Sequence, residues 1–495
     1  MPAPAPEGGS QLGRETVTSG LATIGARGLQ AALLLGTAVA LARLLTPEDF
    51  GVFAMIVPLG IIASNITNRA VQTALLQADD LSDPGLDAFF WLIARVTLLV
   101  AAALAGSGFV LAAFYSEPRV VPIALAWAGL LLLLVPATFQ EALLKRRLRF
   151  PVVMAVQVTG LVVGIVVSLV AAWGGWGYWA LALQVFVMEA GRAIGIAFLS
   201  DWRPRAPRGR DAAESTALRR AWAHLAGVRV STWLTDLPGV VAVGRIGGAT
   251  VLGHYHTARR WASYPFEEPF LALTDVSIAS LRHVRDDAER FRRLAGRALL
   301  VMLAISLPAM AFIVVEARTV VLVVLGPQWV DAIWFLRVLS LAAFAIALIR
   351  VNRWIYLAQG RTGRLLAWSL FIETPVAVVA VSLGTIWGAP GVAVAVAIGA
   401  AVLVLPSILF AVKGSPLRFV DVIRATIRPV LASVLAAAAL AASAGVLPAG
   451  SGADRLAVAV TLFGVAFLAA WHAIPGGLDD TRMLWAALRA SRERQ

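Results

Sequence analysis

Residues 87–144 read DAFFWLIARVTLLVAAALAGSGFVLAAFYSEPRVVPIALAWAGLLLLLVPATFQEALL, and this stretch decides the fold. Two apolar runs, 87–114 and 120–144, flank the short polar break Ser116-Glu117-Pro118-Arg119. A helix needs about 20 apolar residues to cross the hydrocarbon core of a bilayer, so each run is long enough to span it. The same beat recurs on either side. Spans are expected near 18–42, 51–75, 87–114, 120–144, 151–173, 178–200, 221–244, 251–281, 298–316, 330–356, 365–386, 389–412, 421–446 and 456–475. The expected class is therefore all-α, a polytopic membrane protein of about 14 transmembrane helices.

Composition narrows the function. The chain of 495 residues is 59% hydrophobic and 14% charged, which leaves no room for a large water-soluble domain. It has no cysteine, so disulfides and thiolate metal sites are excluded. No HExxH, P-loop or GxSxG pattern appears, and neither a metal nor a cofactor is expected. Met1–Ser10 is rich in Pro, Gly and Ala and lacks the pattern of a cleavable signal. The first span is therefore expected to serve as its own insertion signal.

The net charge of +13 suggests nucleic acid until the basic residues are placed. They gather in alternate loops: Lys145, Arg146, Arg147 and Arg149, then Arg203 to Arg220, Arg282 to Arg293, Arg361 and Arg364, Lys413 and Arg418, and the tail. The loops between carry about one basic residue each, such as Arg119 or Arg318. This asymmetry puts both termini in the cytoplasm and argues against a nucleic-acid partner. The connector Asp201–Arg220 reads as a flexible, solvated linker. The domains expected are a bundle at 1–200, the basic linker at 201–220, a second bundle at 221–412, and two additional spans with a tail at 413–495.

The halves echo each other. Arg43-Leu44 followed by Gly51-Val52-Phe53 returns as Arg245-Ile246 followed by Gly253-His254-Tyr255. Trp173-Gly174 with Gly177 returns as Trp387-Gly388 with Gly391. Two parallel repeats facing each other across a central cavity are a transporter architecture.

The string Leu41-Ala42-Arg43-Leu44-Leu45-Thr46-Pro47-Glu48-Asp49-Phe50-Gly51-Val52-Phe53 resembles the signature of polysaccharide-biosynthesis exporters. So do the turn Trp173-Gly174-Gly175-Trp176-Gly177-Tyr178-Trp179-Ala180-Leu181 and the string Val251-Leu252-Gly253-His254-Tyr255. These are the Wzx-like lipid-linked oligosaccharide flippases of the multidrug/oligosaccharidyl-lipid/polysaccharide superfamily. Span count, central connector and terminal orientation extend the resemblance over the whole chain. It implies export of an undecaprenyl-diphosphate-linked oligosaccharide across a bacterial inner membrane by alternating access through a cationic cavity. It also implies coupling to a proton or sodium gradient and a place beside polysaccharide polymerase machinery.

Charges at membrane depth cost roughly 2.5–3.5 kcal/mol each on insertion scales, so each needs a reason. Asn65, Asn68, Arg69 and Gln72 fall at i, i+3, i+4 and i+7 and form one stripe of hydrogen-bonding groups. Such a stripe suits sugar hydroxyls and phosphate oxygens, or else glues two helices together. Arg27 lies one turn from Gln30 and either faces the cavity or snorkels. The eighth span carries His256, Arg259, Arg260, Ser263 and Glu267 and is interrupted by Pro265 and Pro269. Arg259 or Arg260 is a candidate for a diphosphate, because a guanidinium fork matches phosphate geometry. The bland alternative is an ion-pair network with Glu267 and Glu268. Arg350, near Arg353, Asn352 and Tyr356, fits cytoplasmic anchoring or substrate contact equally. Glu141 is expected to pair with Lys145, and Glu189 with Arg192. Asp236 shares a face with Arg229. Glu373 has no local partner in sequence, which makes it a coupling-ion candidate with Asp236, Glu267 and Asp275. The tryptophans at 173, 176 and 179 read as an interfacial belt.

The leading function is thus a flippase for an anionic lipid-linked glycan, without covalent chemistry. Rivals are a multidrug exporter or a lipid II flippase of the same superfamily, and a glycan polymerase or ligase. The arginine excess disfavours cationic drugs, and the short outer loops disfavour the enzyme.

Overall fold

Thr46 caps the start of the second helix. Its hydroxyl accepts from the Asp49 amide, the Asp49 carboxylate accepts from the Thr46 amide at 3.0 Å, and Pro47 follows at the first helical position. This is a capping box, which satisfies end donors that a bilayer offers no water to meet. In the computed structural model this residue separates helix α1 (Leu29–Leu44) from α2 (Pro47–Gln77). The structure describes residues 29–78, 81–206, 212–445, 447–448 and 452–478. At 212–215, 228–229, 231–233, 236, 268, 271–272, 275–276 and 279 it describes the backbone alone. Arg27 and the side chains of Arg229, Asp236, Glu268 and Asp275 therefore lie outside the described residues.

There follow α3 (Asp83–Tyr115), α4 (Val120–Arg146), α5 (Phe150–Trp173) and α6 (Tyr178–Leu199). A continuous helical stretch, Ala212–His283, is broken at Gly248 (φ +69°) into α7 (212–247) and α8 (249–283). Then come α9 (Ala288–Val320), α10 (Ala332–Ala358), α11 (362–384), α12 (Gly388–Val412), α13 (Phe419–Ala442) and α14 (Ala453–Ala473). Among the described residues there is no strand. Among the described residues, ten helical stretches are long and apolar enough to cross a membrane, and one of them, Thr362–Val412, contains both α11 and α12. The all-helical polytopic expectation is borne out.

The chain divides into two units. The first holds residues up to Leu237 together with Gly248–Gly253, and the second holds Pro238–Gly247 and His254 onward. In the first, α3 packs on α4, α4 on α6, and α5 on α6. In the second, α9 packs on α10, α10 on α12, and α11 on α12. The same pairing pattern, displaced by six helices, is what a duplicated bundle leaves behind. In the second unit, α13 and α14 add a pair laid on α9 through Ala311, Ala436, Leu440, Ala459 and Phe463.

The repeated glycines carry the repeat into atomic contact. A Cβ on Gly51 would lie 1.7 Å from the Ala249 carbonyl oxygen, and one on Gly253 would lie 1.8 Å from the Pro47 carbonyl oxygen. Position 47 stands to 51 as 249 stands to 253, so the two crossings are reciprocal. Only glycine lets backbones approach this closely. The turn 173–181 closes on the first corner: Gly177 (φ +54°) abuts the Asp49 carboxylate, and Leu41, Leu45, Ala171, Ala172, Ala180 and Leu181 form one cluster. Trp173 and Trp176 stay exposed, as a belt residue should.

Where it is described, the connector is anchored at its start. Trp202 stacks on Phe139 at 5.7 Å and meets Phe90 edge-on. Trp91 Nε1 donates to the Arg205 carbonyl at 2.8 Å, and Gln140 Nε2 donates to the Trp202 carbonyl at 3.3 Å. Helix α7 begins at 212, inside the expected linker. An indole amid Pro, Arg and Gly was enough to dock the segment, because aromatic pairs each add about 0.5–1.5 kcal/mol beyond their buried area.

Candidate functional site

A cavity of about 580 Å³ opens within the first unit, walled by α1, α2, α4, α5 and α6. Gln30, Asn65, Asn68, Arg69 and Gln72 all line it, so the stripe on α2 is brought together with a residue of α1. The helix is not regular there. Asn65–Arg69 form a π turn, in which the Ala70 amide reaches back to the Asn65 carbonyl. Such bulges recur at functional sites because they re-aim side chains.

The opposite wall supplies charges whose grouping the sequence reading missed. Glu141 on α4 is 2% exposed. It bonds Lys145 Nζ at 2.7 Å, Arg192 of α6, and Gln157 Nε2 of α5 at 3.0 Å. Arg192 also bonds Glu189 at 2.7 Å, and Lys145 Nζ donates to Gln72 Oε1 at 3.2 Å. The Thr138 hydroxyl is shared between the Leu134 carbonyl at 2.9 Å and Asn68 Oδ1 at 3.2 Å. The pairs expected from i,i+4 and i,i+3 spacing are both present. That they form one network is not visible from spacing within a helix; the available signal was that α2, α4, α5 and α6 each carry polar groups close to their Arg-rich ends. Lys145 and Arg192 thus neutralise Glu141 and Glu189. Arg69 is exposed in the cavity, and among the described residues no carboxylate pairs with it. Three cations against two carboxylates leave the cavity positive, with the surplus on Arg69.

The second unit holds a much smaller cavity, about 40 Å³, lined by Arg259, Ser263, Glu267 and Arg350 among apolar residues. Glu267 pairs with Arg350 at 3.2 Å, an ion pair between α8 and α10. Arg260 and His256 do not line this cavity, and Arg260 is exposed. Helix α10 breaks at Val351–Asn352, where Asn352 Nδ2 donates to Ser407 Oγ at 3.3 Å. Glu373 corrects an expectation. It is partnered: Arg353 Nη2 lies 3.3 Å from both of its carboxylate oxygens. The partner is twenty residues away in sequence, on a helix packed alongside, so no local pattern reveals it.

Many arginines of the Arg-rich side have a plain structural task. Arg146 donates to the Leu75 carbonyl at 2.9 Å, Arg203 to Ala197 at 2.9 Å, and Arg282 to Leu357 at 3.3 Å. Arg364 donates to Phe410 at 3.1 Å, and Arg428 to Pro475 at 2.6 Å. The first four carbonyls lie in the last turns of α2, α6, α10 and α12, and that of Pro475 lies just past the end of α14, where backbone acceptors are unmet and the helix dipole is negative.

A family model described as "Polysaccharide biosynthesis protein" matches residues 40–334, from the first corner through the head of α10. The chain belongs to the polysaccharide biosynthesis protein family. The chain is 26% identical over 350 residues to the succinoglycan biosynthesis transport protein ExoT of Rhizobium meliloti (strain 1021), and the match covers 70% of each. Among solved structures, the lipid II flippase MurJ in an inward closed conformation matches with a TM-score of 0.70. That match covers 92% of this chain and 98% of that one at 11% identity. An inward-facing multidrug resistance MATE family transporter of the MOP superfamily matches with a TM-score of 0.57, covering 80% and 96% at 14% identity. At such identities the likeness establishes the fold. The resemblance to Wzx-like exporters read from the corner and turn motifs is borne out, and this member of the family is a multi-pass membrane transporter.

Proposed function

We propose that the chain flips an undecaprenyl-diphosphate-linked oligosaccharide across a bacterial inner membrane, both termini facing the cytoplasm. The observation that carries this reading is Arg69, a cation without a carboxylate partner among the described residues, set in a cavity of amides and hydroxyls. A guanidinium grips a phosphate through two parallel N–H donors. Asn65, Asn68, Gln72 and Gln30 would meet sugar hydroxyls, and the polyprenyl tail would stay in lipid. No bond is made or broken. The head group shifts the balance between inward- and outward-open states by its differential affinity for them. A net positive cavity favours this cargo over the cationic drugs of multidrug exporters.

A charge-assisted hydrogen bond contributes about 1.5–3 kcal/mol, so Arg69→Ala should weaken head-group binding roughly tenfold to a hundredfold. Gene deletion should accumulate the lipid-linked oligosaccharide on the cytoplasmic leaflet, read by mass spectrometry of polyprenyl lipids. Arg69→Ala should fail to relieve that accumulation at normal membrane abundance. Full relief by Arg69→Ala would remove the cavity from the transport path.

A further inference from the structure

We propose that Trp222 of α7 is a positioning residue for this cavity: it captures the backbone carbonyl that the π turn of α2 releases, and so holds Arg69 on the cavity face. The proposal rests on reading the cavity as the head-group site.

In a regular helix the Ala70 amide would donate to the Ile66 carbonyl. Here it reaches Asn65 instead, and Trp222 Nε1 donates to the Ile66 carbonyl at 2.9 Å. A carbonyl left unpaired at membrane depth is costly, and a wide turn persists where something offsets that cost. The indole also packs against the cluster of Val71, Leu75, Leu86 and Phe89, so it grips α2 just beyond the turn.

Each helical residue advances about 100°, and one extra residue in a wide turn sets everything after it back by about that angle. Ile61 and Ser64 line the cavity ahead of the turn. In a regular helix Asn68, seven residues after Ile61, would share their face and Arg69 would fall toward its edge. The wide turn exchanges them. By this geometry Arg69 falls on the face of Ile61 and Ser64, while Asn68, still on the cavity wall, lies beside Thr138 of α4. One hydrogen bond from another helix thereby aligns a cation with the face that Ile61 and Ser64 present to the cavity.

The chain has no cysteine, so single-cysteine variants need no prior background. Arg69→Cys and Asn68→Cys, each with and without Trp222→Phe, are purified and labelled with a small maleimide in the absence of substrate. The expected result is a slower thiol at position 69 and a faster one at position 68, each by about fivefold, the shift carried by one hydrogen bond. Unchanged rates, or two rates moving the same way, overturn the proposal, because general loosening cannot move neighbouring thiols oppositely. If Trp222→Phe does not fold, benzothienylalanine in place of Trp222 removes the N–H at constant shape, and the same opposed pair of rates decides. A negative labelling result leaves the export reading standing, whereas normal export by Arg69→Ala removes that reading and leaves the labelling result intact.

Discussion

Glu141 and Arg69 face one cavity and have opposite jobs. Glu141 is buried among Lys145, Arg192 and Gln157, so its charge is absorbed by the fold. Removing one partner of a buried ion pair leaves the others uncompensated and costs about 3–5 kcal/mol. Glu141→Ala is therefore expected to lower the melting temperature of the detergent-purified protein sharply, with Glu141→Gln intermediate because it keeps the shape and a hydrogen bond. Equal melting of Glu141→Ala and wild type would show the network to be incidental. Arg69→Ala, in contrast, should leave melting near wild type and act on transport. The arginines on the α2, α6, α10, α12 and α14 ends belong with Glu141: they close helices, and their number is no measure of substrate contact.

At the scale of elements, α2 and α11 each depart from α geometry, for different reasons. In α11 the π turn Ser369–Glu373 sits just before Pro375, whose ring has no amide to give and crowds the carbonyl four residues back. In α2 no proline explains the turn, and the partner comes from α7. Corners behave differently again. The glycines 51 and 253 are held at backbone contact with residues 249 and 47, so any side chain must push helices apart. Gly51→Val and Gly253→Val are each expected to abolish detergent-stable protein, well beyond the 1–3 kcal/mol of ordinary overpacking. Gly129→Ala, with nothing within 4 Å of the added carbon, should melt like wild type. Size-exclusion profiles of the three variants separate the cases, and a monodisperse Gly51→Val would refute the tight crossing.

At the scale of the whole molecule, one acid-sensitive carboxylate outside the spans sits in the loop between α3 and α4. Arg119 donates to Glu117 Oε1 at 2.7 Å and also bonds Glu48 at the head of α2. The hydrogen bonds from Arg119 to Glu117 hold its carboxyl below the ordinary 4.5, against a smaller upward push from burial. A depressed carboxylate contributes stability above its unfolded value and loses it as pH falls through the folded one. The melting gap between wild type and Glu117→Gln should therefore be constant from about pH 8 to pH 5 and close below about pH 4.5. A gap that widens with acid would contradict this.

Hydropathy alone determined that the chain is all-helical and spans a membrane, because a bilayer accepts few other backbone arrangements and demands long apolar runs. Sequence echoes at Gly51 and Gly253 also exposed the duplication, since a glycine kept for close approach leaves a fixed mark at both positions. Local spacing found the α2 stripe and the Glu141–Lys145 and Glu189–Arg192 pairs, which lie within single helices. Only the tertiary structure decided what joins helix to helix: the Glu141 network across α4, α5 and α6, the Arg353 partner of Glu373, and the docking of Trp202. It also decided which way Arg69 points, because that depends on a π turn whose freed carbonyl is met by an indole some 150 residues away. Period and composition describe one helix against its solvent, whereas a site inside a bundle is set by the neighbours that each helix meets.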